Sequence, residues 1–220
     1  MCAKIAIDID DTLYSFTALA RRIMTKIGFE NEDKQMIAAA YAAWPEWRSP
    51  VDLLGIDRWM EIIDMCHDSE LILTQTPHLG ASDTCNALMD AGHELLYISN
   101  RATETERATR EWLYDHDFLS PLKPAELMCL MGDKTPHMAQ CQYFIDDRPK
   151  NLIGFVYDYD WTNKHGKANT DMQRRAFGLM TEFNRALTDV PRIYLAPTWS
   201  GLNYYLQSKG LLEEQVKVGV

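Results

Sequence analysis

The chain has 220 residues, 46% hydrophobic and 25% charged, with a formal net charge of −10. Such a chain can bury a substantial core and carry a small inserted subdomain. Its acidity disfavours broad attachment to nucleic acid or an anionic membrane, both of which need clustered Lys and Arg. No apolar run reaches the roughly 18 residues of a membrane span, and the start lacks a basic-then-apolar leader, so a cytoplasmic protein is expected.

In chain order, residues 3–9 read as a short buried strand rich in Ile, running directly into Asp8, Asp10 and Asp11. From about 14 to 66 the pattern is helical. "SFTALARRIMTKIG" is expected to stop at Gly28, "NEDKQMIAAAYAAW" to start on an Asn31 cap and stop before Pro45, and "IDRWMEIIDMCH" to follow. "ASDTCNALMDAG" reads as a further helix, and "HELLYIS" as a second strand ending at Ser99 and Asn100. "TETERATREWLYDHD" is helical, "AELMCLM" a third strand, and "CQYFI" a fourth that ends at Asp146 and Asp147. Beyond Pro149, "LIGFVYD" is expected as a strand, "DWTNKHGKAN" as a polar loop and residues 171–188 as an amphipathic helix. "PRIYLA" is expected as a last strand and "WSGLNYYLQS" as a closing helix.

Strands alternating with helices, each strand ending in polar residues, indicate an α/β chain with a Rossmann-like parallel sheet whose ligand site lies beyond the strand C-termini. Residues 1–14 and 81–220 are expected to form the core domain, with 15–80 a helical cap inserted after the first strand. Five scattered cysteines without a CxxC pair indicate neither a disulfide framework nor a zinc site. The histidines show no metal-ligand spacing.

Two carboxylates two residues apart at a strand end repel each other unless a cation joins them, and magnesium commonly links carboxylates to substrate phosphate. The plain alternative for "DIDDT" is a solvated turn or helix cap. Other strand ends supply a hydroxyl (Ser99), a lysine (Lys134) and a second acid pair (Asp146, Asp147), the remaining parts of a phosphoryl-transfer site.

In order, "DIDDT", "YIS", "DKT" and "FIDD" resemble the four motifs of the haloacid dehalogenase (HAD) superfamily of phosphohydrolases, over roughly residues 4–152. "DIDDTLYSF", "GDKT" and "FIDDRPKNL" are most similar to the 5'(3')-deoxyribonucleotidases, and "RIYLAPTWSGL" resembles the end of that family. "SNRATETERATREWL" looks instead like a stretch of the polynucleotide 3'-phosphatases of the same superfamily.

The resemblance implies a magnesium-dependent phosphatase, with a (deoxy)nucleoside monophosphate as substrate. A polynucleotide 3'-phosphatase or another small-molecule phosphatase is the alternative, and a non-catalytic binding protein of the same fold the third reading. Asp8 is then the nucleophile and Asp10 the general acid/base, with Thr12 orienting Asp10 and Asp11 capping the turn. Ser99, the Asn100 backbone N–H and Lys134 hold phosphate. Asp147 is taken as the direct magnesium ligand and Asp146 as acting through water or on Lys134, with the two interchangeable in these roles, and Asp8 and the Asp10 backbone carbonyl complete the metal set. Phe16 is expected to stack on a base, and Arg48 to meet a substrate anion. Trp44, Trp47 and Trp59 read at least equally well as packing. No membrane partner is expected, nucleic acid only as a 3'-phosphate substrate, and a homodimer is left open.

Overall fold

The computed structural model describes residues 2–157 and 174–213. The first strand, β1 (Lys4–Ile7), is followed by five helices: α1 (Phe16–Glu30), α2 (Lys34–Tyr41), α3 (Ser49–Leu54), α4 (Ile56–Cys66) and α5 (Ser69–Leu73). Then come α6 (Ala81–Asp90), β2 (Glu94–Ser99), α7 (Glu106–Asp115), β3 (Ala125–Cys129), β4 (Tyr143–Ile145) and α8 (Pro149–Tyr157). The described chain ends with β5 (Arg175–Leu179), β6 (Ile193–Ala196) and α9 (Trp199–Ser208).

All six strands are parallel, in the order β3-β2-β1-β4-β5-β6. Ile5, Ala6 and Ile7 of the central strand are fully buried, with Ile7 level with Tyr97 on one side and Ile145 on the other. The chain builds outward from β1 first through β2 and β3, then reverses through β4. That reversal opens a crevice beyond the C-terminal ends of β1, β2 and β4, where α/β sheets bind ligands. No helix among the described residues is long and apolar enough to cross a membrane.

The helices follow from local chemistry. Ser15 caps α1 by accepting from Ala18 N–H, and Asp33 caps α2 by accepting from Gln35 and Met36. The expected stop at Gly28 is corrected: α1 runs through it to Glu30, and a Cβ on Gly28 would meet Ile37 Cγ1 at 2.5 Å. This glycine lets α2 approach α1. Asn31 closes α1 rather than opening α2, which ends at Tyr41, short of Pro45.

Two expectations beyond Pro149 are overturned. The segment expected as a strand is α8, begun by a proline at its first turn, with Leu152, Phe155 and Val156 buried at helical spacing. Within 171–188 the structure places β5 instead of a helix, because Ala176–Leu179 are covered on both faces between β4 and β6. Residues 171–173, like the "DWTNKHGKAN" loop, lie outside the described residues. A Cβ on Gly178 would collide with the Asp146 carbonyl oxygen. Gly178 therefore lets the end of β4 sit close against β5.

Candidate active site

Because β1, β2 and β4 are parallel neighbours, Asp8, Ser99, Asp146 and Asp147 emerge on one edge of the sheet, and Lys134 reaches them from the loop after β3. Asp8, Lys134, Asp146 and Asp147 are all buried. Lys134 Nζ forms a close ion pair with Asp8 Oδ1 and lies 3.8 Å from Asp146 Oδ2. Carboxylate oxygens of Asp8, Asp146 and Asp147 lie within 4.8 Å of one another.

The two neighbouring acids are not equivalent. Asp146 Oδ1 accepts from Arg148 N–H at 2.6 Å and its Oδ2 from Asn151 Nδ2 at 2.9 Å. Among the described residues Asp147 Oδ2 is buried without a hydrogen-bond partner, an arrangement that is costly unless something positive meets it. Burial pushes the Asp8 carboxyl up to about 7 against the opposing pull of Lys134, with Asp146 and Asp10 adding to the rise. Burial, then Asp146, moves Asp147 well above the carboxylate range. Burial works against the Lys134 ammonium, yet Asp8 and Asp146 hold its pKa above the ordinary lysine value. A divalent cation fits this oxygen-only donor set.

Asp10 stands in a different environment. Its Oδ1 accepts from Tyr14 OH at 2.6 Å and Arg101 Nη2 at 2.8 Å, and its Oδ2 from Ser99 Oγ and Arg101 Nε, each at 3.1 Å. Burial alone would raise its pKa, but Arg101, supported by His67, holds it well below the carboxylate range. Arg101 is fully buried and also donates from Nη1 to Thr109 Oγ1 at 2.8 Å. His67, just after α4, brings Nε2 to 3.6 Å from Asp10 Oδ2. Asp11, at φ 57°, accepts from both Thr17 N–H and Thr17 Oγ1 and so braces the start of α1.

A cavity of about 300 Å³ opens over these groups, lined by Asp8, Asp10, Asn100, Lys134 and Asp147 on the sheet side. Opposite them lie Phe16, Trp47, Met60, Ile63 and His67. Phe16 is only 2% exposed, held between Trp47 and His67 at ring-centroid distances of 5.7 and 5.4 Å. Trp47 is half-buried, with the Arg148 guanidinium 3.9 Å from its ring centroid.

Several expected residues stand elsewhere than the sequence suggested. Ser99 is fully buried, hydrogen-bonded to Asp10 and outside the cavity lining. Asn100 lines the cavity, its side-chain oxygen accepting from Gly132 N–H at 2.8 Å. Arg48 is exposed, 3.7 Å from Asp52, and does not line the cavity, whereas Arg148 does. Among the described residues Thr12 Oγ1 has no hydrogen-bond partner, so Tyr14, Arg101 and Ser99 orient Asp10 in its place. Trp44 and Trp59 are core residues. Sequence reasoning missed Arg101, Tyr14 and His67. Arg101, two residues past Ser99 at a strand end, carried a positional signal, but His67 had only chain distance from Asp10.

No protein-family model matches the chain. A Bacillus cereus protein named "Putative nucleotidase" is 27% identical over 164 residues, covering 69% of this chain and 81% of that protein. Among solved structures, a HAD family hydrolase from Deinococcus radiodurans R1, with bound phosphate and sodium, aligns at TM-score 0.58 and 14% identity. The alignment covers 96% of this chain and 98% of that one. CbbY from Rhodobacter sphaeroides, in complex with phosphate, aligns at TM-score 0.52 and 12% identity over 92% of this chain and all of that one. With its six-stranded parallel sheet and this alignment over nearly the whole chain, the protein has the fold of the haloacid dehalogenase-like hydrolases.

Proposed function

We propose that this protein is a magnesium-dependent phosphomonoesterase that hydrolyses (deoxy)nucleoside monophosphates through an aspartyl-phosphate on Asp8. One observation carries the reading: a buried Asp8 paired with Lys134, beside the partnerless Asp147 oxygen, at the floor of a small cavity walled by aromatic rings. The likeness to the Bacillus cereus protein supports the nucleotide part of it.

An Asp8 oxygen attacks phosphorus, the bond from phosphorus to the ester oxygen breaks, and the leaving alkoxide takes up a proton from solvent through the acid/base position of Asp10. Water then cleaves the acyl phosphate, restoring Asp8 and releasing inorganic phosphate. Lys134 holds Asp8 in place and offsets charge on the phosphoryl oxygens. Asp10 occupies the acid/base position. Arg101 keeps it ionised, the form able to accept a proton from water in the second step, and its four donors fix its orientation. Asp8, Asp146 and Asp147 would hold magnesium, which supplies charge neutralisation at the phosphoryl group. Residues 15–80 serve as a cap over the strand ends, excluding water from the reaction. The half-buried Trp47, packed on Phe16 and covered by the Arg148 guanidinium, would meet a base through its exposed edge or by displacing Arg148 from its face.

The test is phosphate release from 5'- and 3'-mononucleotides, sugar phosphates and p-nitrophenyl phosphate, with magnesium and with EDTA. Turnover of mononucleotides above sugar phosphates, lost reversibly in EDTA, is expected. Turnover confined to sugar phosphates would overturn the nucleotide reading, and full activity in EDTA would overturn the metal.

A further inference from the structure

A second cavity, of about 740 Å³, adjoins the catalytic one and shares Asn100, Lys134 and Arg148 with it. The shared residues are the wall between the two. On its far side the lining adds Lys150 and Asn151, from the first turn of α8; among the described residues Asp133 is the one carboxylate there, and with Lys134 held by Asp8 the cations left to the groove are Arg148 and Lys150. This basic stretch belongs to a chain whose net charge is −10. Lys150 is exposed, and among the described residues no carboxylate lies within ion-pair distance of it.

Two further details orient the groove towards an anion. The Asn100 side-chain oxygen is occupied by Gly132 N–H, so the function it has left to offer is its amide N–H pair, at the boundary of the two cavities. Arg148 lies over the Trp47 ring without a carboxylate ion pair among the described residues. A planar guanidinium held on a ring keeps its N–H edge available for oxygen acceptors. Nothing in the hydrolysis of a single phosphate uses Lys150 or the outer groove.

We infer that this groove is a subsite for a second phosphate ester carried by the same substrate, bound by Arg148, Lys150 and the Asn100 amide. The inference rests on the phosphatase reading above and narrows its substrate class. The preferred substrate is a nucleotide bearing two phosphate esters, one at Asp8 and the other in the groove. The same chemistry is supplied by a nucleoside bisphosphate and by the phosphodiester next to a phosphorylated strand end. The protein's overall negative charge restricts favourable contact to this local stretch, so a long polynucleotide gains nothing beyond it.

Calorimetry with magnesium present, on an Asp8→Asn protein that does not consume its ligand, tests the subsite directly. The probes are thymidine 3'-monophosphate, thymidine 5'-monophosphate and thymidine 3',5'-bisphosphate. The bisphosphate is expected to bind about tenfold tighter than either monophosphate, the scale of one added charge-assisted contact. Adding Lys150→Glu should remove that advantage and leave monophosphate binding unchanged. Equal affinities, or an advantage that survives Lys150→Glu, would overturn the inference. A thymidine dinucleotide with a 3'-phosphate separates the two sources: sharing the advantage assigns the groove to a phosphodiester, and lacking it assigns the groove to a terminal phosphate. Turnover of p-nitrophenyl phosphate with Asp8 intact should be equal with and without Lys150→Glu. A loss confined to the variant would mean that Lys150 supports the catalytic centre, overturning the subsite. Absence of turnover in both would overturn the phosphatase reading alone, since binding still decides the groove.

Discussion

Arg101 grips Asp10 through two nitrogens, Nη2 to Oδ1 at 2.8 Å and Nε to Oδ2 at 3.1 Å, from a position with no solvent exposure. A bidentate guanidinium fixes both the plane and the rotamer of a carboxylate, which a lysine cannot do. Arg101→Lys is expected to fold, to melt at a lower temperature and to lose about 100-fold in kcat, the scale of a small misplacement at a reacting centre. Arg101→Leu leaves Asp10 without its buried partner and should cost about 3 to 5 kcal/mol of stability. Thermal melting and steady-state kinetics on both variants check this. A Lys variant with unchanged kcat would show that the clamp is dispensable for turnover.

Asp8→Asn should abolish phosphate release, since an amide is no anionic nucleophile. The variant should remain folded. Asp8 lies beyond the end of β1, and Lys134 retains Asp146 at 3.8 Å as a neighbouring charge. Circular dichroism together with a phosphate-release assay decides it, and substantial turnover in a clean preparation would sink the proposed nucleophile.

Metal removal carries a pH signature. Burial lifts Asp8 to about 7 and moves Asp147 well above its ordinary range, while unfolded carboxyls titrate near about 4. Between those values the metal-free folded state holds protons that the unfolded chain releases, so its stability falls as pH rises through the window. A divalent cation on these oxygens displaces the protons. The rise in melting temperature on adding magnesium should therefore be larger at about pH 8 than at about pH 5. Scans with and without magnesium at both values test the site, and equal increments would argue against these acids as its ligands.

Phe16 and Trp47 should separate packing from substrate contact. Phe16 is 2% exposed, so Phe16→Ala opens a hole and is expected to cost about 3 to 5 kcal/mol of stability. Trp47 is half-buried on the cavity wall, and Trp47→Ala should weaken nucleotide turnover by about 1 to 3 kcal/mol in transition-state terms. Hydrolysis of p-nitrophenyl phosphate, which carries no nucleobase, is the control. Equal losses on both substrates would assign Trp47 to shaping the catalytic loop.

Gly178→Ala tests how the sheet positions the acid pair. Its Cβ would enter the space of the Asp146 carbonyl oxygen, so β4 and β5 must separate at the site edge. Overpacking of this kind costs about 1 to 3 kcal/mol, and the shift should also weaken magnesium binding. Melting temperature and a magnesium titration measure the two effects. Unchanged magnesium affinity would show that Asp146 is fixed independently of β5.

The sequence by itself determined the alternating architecture up to Asp147, because buried strands and amphipathic helices leave different apolar periods, and each strand ended in polar residues. It also marked the last strand and the closing helix, whose Thr198 cap stands directly before Trp199. Local pattern failed where a neighbour decided the outcome. Gly28 reads as a stop until α2 is seen packed on it, and β5 reads as helix because a strand covered on both faces shows no alternation. The same holds at the site. Asp8, Asp10, Asp146 and Asp147 stood out in the sequence as acids at strand ends, and Lys134 through its place in the "DKT" motif of the family resemblance. Only the tertiary structure decided that Ser99 serves Asp10, that Arg101 and His67 converge on it, and that Arg148 stands at the cavity where Arg48 does not. Those relations join residues as much as 91 positions apart, and a long-range contact between side chains leaves no periodicity in the sequence from which to read it.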